Sequence, residues 1–387
     1  MAKLCVYLPP FAPDYSGVCS ALFDLNVLIA IHDAAGCTGN YTGFDEPRWF
    51  GSQKAIYCSG LREIDAVLGN ESKFIERIAD AAAEVKPELA AFVGSPVPMV
   101  IGTDFEGFAL ELEQRLGIPT FGFATNGTGH YNDGIFDAGR ALVDRFAKKD
   151  AAPRPKSVNI LGATPLDITE RDLLDLTDLL NKNGRPVNAS FFMGLTLKQV
   201  ENAGAAAVNI AVSQAGARLA KYLRGKFGTP YIVGLPFGEK NARDFIARLD
   251  DAERSGECVV HGAESSGAAD TLIIGDEVAA NSLRNALIRD FDITGVDVGA
   301  IFGREADIYP GSIELDSERA ILGAVGSGRY GRIIADPLIC DLIADARVER
   351  IPLPHYAVSS KIHADPNIRL ILRNVNDVFR KENHNNV

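Results

Sequence analysis

The residues of this 387-residue chain best suited to chemistry are six cysteines, at positions 5, 19, 37, 58, 258 and 340. Four of them fall within the first 58 positions, where an even scatter would leave about one. In a reducing compartment, thiols crowded into one stretch point to metal ligation or electron transfer rather than to disulfides. The bland alternative for each is a small buried hydrophobe. No Cys-x-x-Cys occurs, so zinc ribbons, thioredoxin-like sites and ferredoxin-type runs drop out. Any cluster must be assembled from dispersed ligands.

The elements that would position them follow a repeating pattern. Short apolar runs at 89–93, 158–161, 208–212, 272–274 and 332–335 each end in Gly, Ser or Asp and lead into a helical pattern. Apolar strands alternating with amphipathic helices, such as 71–85 and 215–227, predict an α/β protein of doubly wound, Rossmann-like parallel-sheet domains. Ligands of such sheets sit at the carboxyl ends of the strands. The stretch 148–156, rich in Lys, Asp, Ala and Pro, reads as a linker, and a second break is expected near 236–240. These give an N-terminal domain over 1–150, a second over 151–238 and a third over 239–387, with a frayed tail from 380 to 387.

Composition narrows the class. Charged residues are 23 % and hydrophobic ones 47 %, as in a soluble globular protein. The net charge of −12 leaves no electrostatic footprint for nucleic acid or an anionic membrane. Nothing near the N-terminus reads as a signal peptide, and no apolar run reaches the length a membrane helix needs. The expected location is cytoplasmic.

Glycine motifs carry less. Gly326-Ser327-Gly328-Arg329-Tyr330-Gly331 spells G-x-G-x-x-G, but a helical run precedes it and a strand follows, the reverse of a dinucleotide site. No G-x-x-x-x-G-K-[ST] occurs, so neither NAD nor ATP binding is expected of this chain. The loop Asn126-Gly127-Thr128-Gly129-His130-Tyr131 reads either as a tight crossover turn or as a cofactor-lining loop. Asp33, Asp104, Glu264, Asp276 and Asp336 stand near strand ends as proton donors or helix caps.

Three segments are specific: His32-Asp33-Ala34-Ala35-Gly36-Cys37, then Glu63 through Val67 to Gly69, then Ile101-Gly102-Thr103-Asp104. With Pro9 to Cys19 ahead of them, their order and spacing resemble the component 1 family of nitrogenase and nitrogenase-like oxidoreductases. The resemblance implies two or three Rossmann-like domains around a central cavity, and an iron-sulfur cluster at a subunit interface. Cys37 matches a family cluster ligand. Where the other two cluster cysteines fall, this chain carries Ala12 and Ser95. Cys58 and Cys19, near the same strand ends, are expected to compensate, two ligands from each half of a dimer completing the four thiolates of a [4Fe-4S] cluster. Gly36 and Gly60 allow close approach to the sulfurs. Ser95 is either an oxygen ligand or a helix-capping serine, and Glu63 a polar contact near the cluster.

The family's second site holds a tetrapyrrole in the chlorophyll-type enzymes and, in nitrogenase proper, a metal cofactor anchored by a cysteine and a histidine. No cysteine stands around Val212-Ser213-Gln214-Ala215-Gly216, whereas His355, after Pro352 and Pro354, is the expected site-lining histidine. Cys258 and Cys340 read as structural, and Cys5 as packing on a first strand. The resemblance implies a homodimer or a heterodimer with a paralogous subunit. In it a P-loop iron-protein reductase supplies electrons, and a small molecule or tetrapyrrole is reduced. The rival reading is a non-catalytic scaffold or binding protein for a metallocluster or cofactor precursor.

Overall fold

The computed structural model describes residues 5–68, 71–262, 268–364 and 371. The expectations placed on Gly69, on Glu264 and on the tail from 380 to 387 lie outside them. Three sheets form. The first holds β1 (Val27–Ile31), β2 (Ala55–Cys58), β3 (Leu89–Val93) and β4 (Thr120–Phe123), in the order β2-β1-β3-β4 and parallel throughout. The second holds β5 (Arg154–Ala163), β6 (Val187–Phe192), β7 (Ala206–Ala211), β8 (Tyr231–Val233) and β9 (Val259–Val260), ordered β6-β5-β7-β8-β9. The third holds β10 (Thr271–Gly275), β11 (Val296–Ala300), β12 (Ile313–Glu314), β13 (Arg332–Ala335) and β14 (Glu349–Pro352). Its order is β12-β11-β10-β13-β14, and its strands are parallel.

Parallel strands need crossovers, and the sequence supplies helices for them. All five residues of β1 and all five of β3 are buried, which requires cover on both faces. On one face of the first sheet Leu28, Ala30 and Phe92 pack against Ile75 and Ile78 of the helix Glu71–Val85. Phe105, Phe108 and Leu112 of the helix Phe105–Leu116 join the same core. That second helix starts where Asp104 accepts the N–H of Gly107 at 2.9 Å and stops at Gly117, whose φ is 68°, a cap at each end.

The chain divides into two compact units, one of residues 12–145 with 192–197 and the other of the remainder. The break near 238 does not appear: the helix Glu239–Ser255 and β9, which pairs parallel with β8, continue the second sheet to 260. Pro236 and Gly238 open that helix instead of ending a domain.

Candidate functional site

In the first sheet, parallel register brings three turns to one edge. Cys58 ends β2 opposite Ile31, and Val93 ends β3 opposite the same Ile31. The segments His32 to Cys37, Cys58 to Gly60 and Gly94 to Ser95 therefore leave neighbouring strand ends. Cys37 lies in the first turn of the short helix Gly36–Asn40, which follows Ala35 at a φ of 123°. That conformation is strained for a residue with a Cβ. Asp33 secures it, Oδ2 accepting from the N–H of Ala35 at 2.9 Å and of Thr38 at 3.0 Å.

The Cys37 thiol is within hydrogen-bonding reach of Tyr15, Ser95 and Asp33. Burial first, and then the Asp33 charge, push its pKa above the ordinary thiol value. Cys58 Sγ donates to the Asp33 carbonyl at 3.3 Å and accepts from the Gly60 N–H at 3.4 Å. Asp33 thus joins the two cysteines, by its side chain to one and its main chain to the other. Nucleophilic cysteines sit in electropositive surroundings. Here a carboxylate adjoins the thiol, an arrangement that favours a bound cation over attack on a substrate.

Ser95 is wholly buried and donates to the His32 carbonyl at 2.8 Å, so its one proton serves the fold. Ala12 is buried and offers its carbonyl to the Tyr131 N–H. Cys19 is not brought to this edge. It is fully enclosed on the helix Asp14–Leu22, where burial and the carboxylates of Glu46 and Asp45 raise its pKa well above the usual value. A sealed, protonated thiol offers no sulfur to an interface, so the expected role of Cys19 gives way to packing. Cys5 is exposed in an irregular segment rather than buried on a strand, and Cys258 is exposed just before β9. Cys340 is buried, donates to the Ala335 carbonyl at 3.4 Å and has its pKa pushed up to about 12 by burial. Glu63 is exposed in the first turn of the helix Glu63–Leu68. Tyr15 was not singled out from the sequence; the signal was its place in the helix that starts directly after Pro13.

Among the described residues no group of three or more His, Cys, Asp or Glu side chains converges to hold a metal ion. Cys37 and Cys58 are both partly exposed. Phe44, Ile64, Val67, Val97, Val100 and Ile101, all on segments leaving β1, β2 and β3, are 45 % exposed or more. A cavity of about 60 Å³ beside Cys58, lined by Leu28, Tyr57, Phe74 and Ile78 among others, has room for a few waters but not for a substrate. The loop Asn126 to Tyr131 is a crossover turn: Asp14 accepts the N–H groups of Asn126 at 2.9 Å and Gly127 at 2.8 Å.

In the other unit a second polar group gathers at strand ends. Asp276, after β10, accepts from Val278 and Ala279 at 3.0 and 3.1 Å and from the Gln214 N–H at 3.0 Å. One carboxylate therefore ties the helix Glu277–Phe291 to the start of the helix Gln214–Phe227. Gln214 Nε2 donates to Glu305 at 2.9 Å, and the Glu305 N–H to Glu277 at 2.6 Å. Burial pushes Glu277 up to about 7. His355, after β14, donates its N–H to Asp336 at 2.8 Å, and its ring lies 5.0 Å from Phe302 and 3.8 Å from Asp167. Burial lowers its pKa to about 4, so the ring is neutral at pH 7. Ser213 caps its helix by accepting the Gly216 N–H at 3.2 Å. Asp104, Asp276 and Asp336 are likewise helix caps.

The family model described as nitrogenase component 1 type oxidoreductase matches residues 15–303. A light-independent protochlorophyllide reductase component from Acidiphilium rubrum is 31 % identical over 163 residues, 42 % of this chain and 29 % of that protein. The nitrogenase iron-molybdenum cofactor biosynthesis protein NifE of Clostridium pasteurianum is 28 % identical over 228 residues, 57 % of this chain and 49 % of that one. The chain thus spans about half or less of the length of these curated relatives. A solved structure of nitrogenase Cp1 at pH 5 superposes with a TM-score of 0.64 at 16 % identity, covering 92 % of this chain and 85 % of the other, which establishes the shared fold. Among the described residues no helix is long and apolar enough to cross a membrane. With the family model covering most of its length, the chain belongs to the nitrogenase component 1 type oxidoreductases.

Proposed function

We propose that this chain is the electron-accepting, substrate-reducing component of a two-component reductase in a reducing, cytoplasmic compartment. In this reading Cys37 and Cys58 supply half the ligands of a [4Fe-4S] cluster shared with a second copy or a paralogous subunit. The supporting observation is that two partly exposed thiols sit on segments leaving adjacent strand ends, Cys37 against the Asp33 side chain and Cys58 against the Asp33 carbonyl, with exposed apolar side chains further along segments that leave the same sheet. When bound, such a cluster takes up and passes on single electrons. The chain's own residues do the rest. Asp33 holds the Cys37 turn, and the Gly60 N–H hydrogen-bonds the Cys58 sulfur. Electrons come from a P-loop iron protein, since this chain has no P-loop of its own. The reduced compound, a tetrapyrrole or other small unsaturated molecule, lies against neutral His355. A metal cofactor anchored by a cysteine and a histidine does not fit, because no cysteine stands around the helix start Val212 to Gly216, where Ser213 caps the helix.

A scaffold for a cofactor precursor is the second reading, favoured by the likeness to a cofactor biosynthesis protein. Iron and acid-labile sulfide analysis after anaerobic purification, with EPR of the reduced protein, tests the first. Cys37→Ala and Cys58→Ala should each abolish the signal, and a cluster that survives either overturns the assignment. ATP-dependent reoxidation with an iron-protein partner and a reducible compound separates enzyme from scaffold.

A further inference from the structure

The N-terminal segment is fastened in an unusual way. Three successive backbone N–H groups point at one carboxylate, that of Glu318. Val6 donates at 2.8 and 3.0 Å, Tyr7 at 2.8 Å and Leu8 at 2.7 Å. Consecutive N–H groups turned to one side form a nest for an anion, and here the anion belongs to the same chain. The side chains of Val6 and Tyr7 are 76 % and 70 % exposed, so they add little hydrophobic hold. Beyond the nest the segment is anchored by Leu8, which is buried, and by Phe11. The Phe11 ring stands edge-on to Phe302 with centroids 5.6 Å apart, and Phe302 lies 5.0 Å from the ring of His355. Phe302 is itself only 2 % exposed. Phe11 thus covers Phe302, which covers His355.

We propose that residues 6–11 are a strap that closes one side of the His355 site, with Glu318 as its latch and Phe11 as the shielding piece. The proposal rests on the reading of His355 as a site-lining residue. Opening requires the loss of one charge-assisted contact set, after which the freed N–H groups turn to water. A segment held by few buried side chains opens at lower cost than the sheets beneath it. The strap therefore sets when a small molecule reaches or leaves the histidine.

Carbethoxylation of histidines by diethyl pyrocarbonate, followed residue by residue by peptide mass spectrometry on the full chain at pH 7, tests this without cluster, partner or substrate. In the wild type His355 should react slowly. Glu318→Ala and Phe11→Ala should each raise its rate several-fold, while His261, wholly buried in the same unit, stays protected. An unchanged rate at His355 in both variants overturns the strap. Equal acceleration at His261 and His355 would signify general loosening and overturns it as well. Because the readout needs no iron, failure of the cluster reading and failure of the strap appear in different experiments.

Discussion

Removing the proton-binding group of His32 should flatten part of the acid limb of stability. His32 follows β1 directly and is 2 % exposed. Its Nδ1 lies 2.8 Å from Ser59 Oγ, and its ring packs 4.7 Å from Phe74 and 5.1 Å from Phe92. Burial lowers its pKa to about 4, against the opposing charge of Asp33. In the unfolded chain the value returns to about 6.5. Between those two values the unfolded state binds a proton that the folded state refuses, so stability falls as pH drops through this window. Above it the residue contributes no pH dependence. The full gap corresponds to about 3 kcal/mol, of which about 2 kcal/mol is lost by pH 5. His355 and His261, also lowered to about 4, act in the same direction, while Asp45, raised to about 6, acts oppositely. Single-residue comparison isolates the effect. His32→Phe keeps the aromatic contacts and sacrifices the Ser59 hydrogen bond, a loss of about 1 kcal/mol that does not vary with pH. Urea unfolding followed by the fluorescence of the single tryptophan, Trp49, should show wild type losing about 2 kcal/mol more than the variant between pH 7.5 and pH 5. Parallel pH profiles would refute the linkage.

Three further outcomes can be checked by thermal unfolding and iron analysis. Gly17→Ala sets a Cβ 1.8 Å from the Tyr131 carbonyl oxygen and should cost about 3 kcal/mol; Gly39→Ala, with nothing within 4 Å, should be close to neutral. Ala35→Gly relieves a φ of 123° and should raise stability by about 1 kcal/mol. Cys19→Ala should leave iron content unchanged and lower stability by about 1 kcal/mol, because its thiol only packs.

Much of the fold was legible because its strands are continuous apolar runs closed by turn residues. The runs 89–93 and 332–335 coincide with β3 and β13, and 71–85 with its helix. What misled was local punctuation: Pro236 and Gly238 look like a domain break but start a helix that returns to the second sheet. At the proposed site, Cys37 stood out through the segment it shares with the family and Cys58 through its place near the same strand ends. Cys19 was not, because its enclosure comes from Asp45, Glu46 and Arg48, a buried charged group about 26 to 29 positions downstream. Asp33 was legible as a strand-end carboxylate, but not as the residue joining two thiols, since that depends on the register of β1 with β2.

The unit that carries the cysteines is closed by its own most distant parts. Asp14 grips a loop 112 and 113 positions ahead of it, Gly17 and Gly134 let two backbones touch, and Asp24 accepts the N–H of Gly194 at 2.6 Å. During synthesis, then, the first sheet can assemble its strands early but cannot lock until residue 194 has left the ribosome. At 5 to 20 residues per second, roughly eight to thirty seconds separate the appearance of Cys37 from that moment. For that interval both thiols stand in an unsealed chain, open to oxidation or to the wrong metal. A fragment ending at 145 would keep that vulnerability permanently.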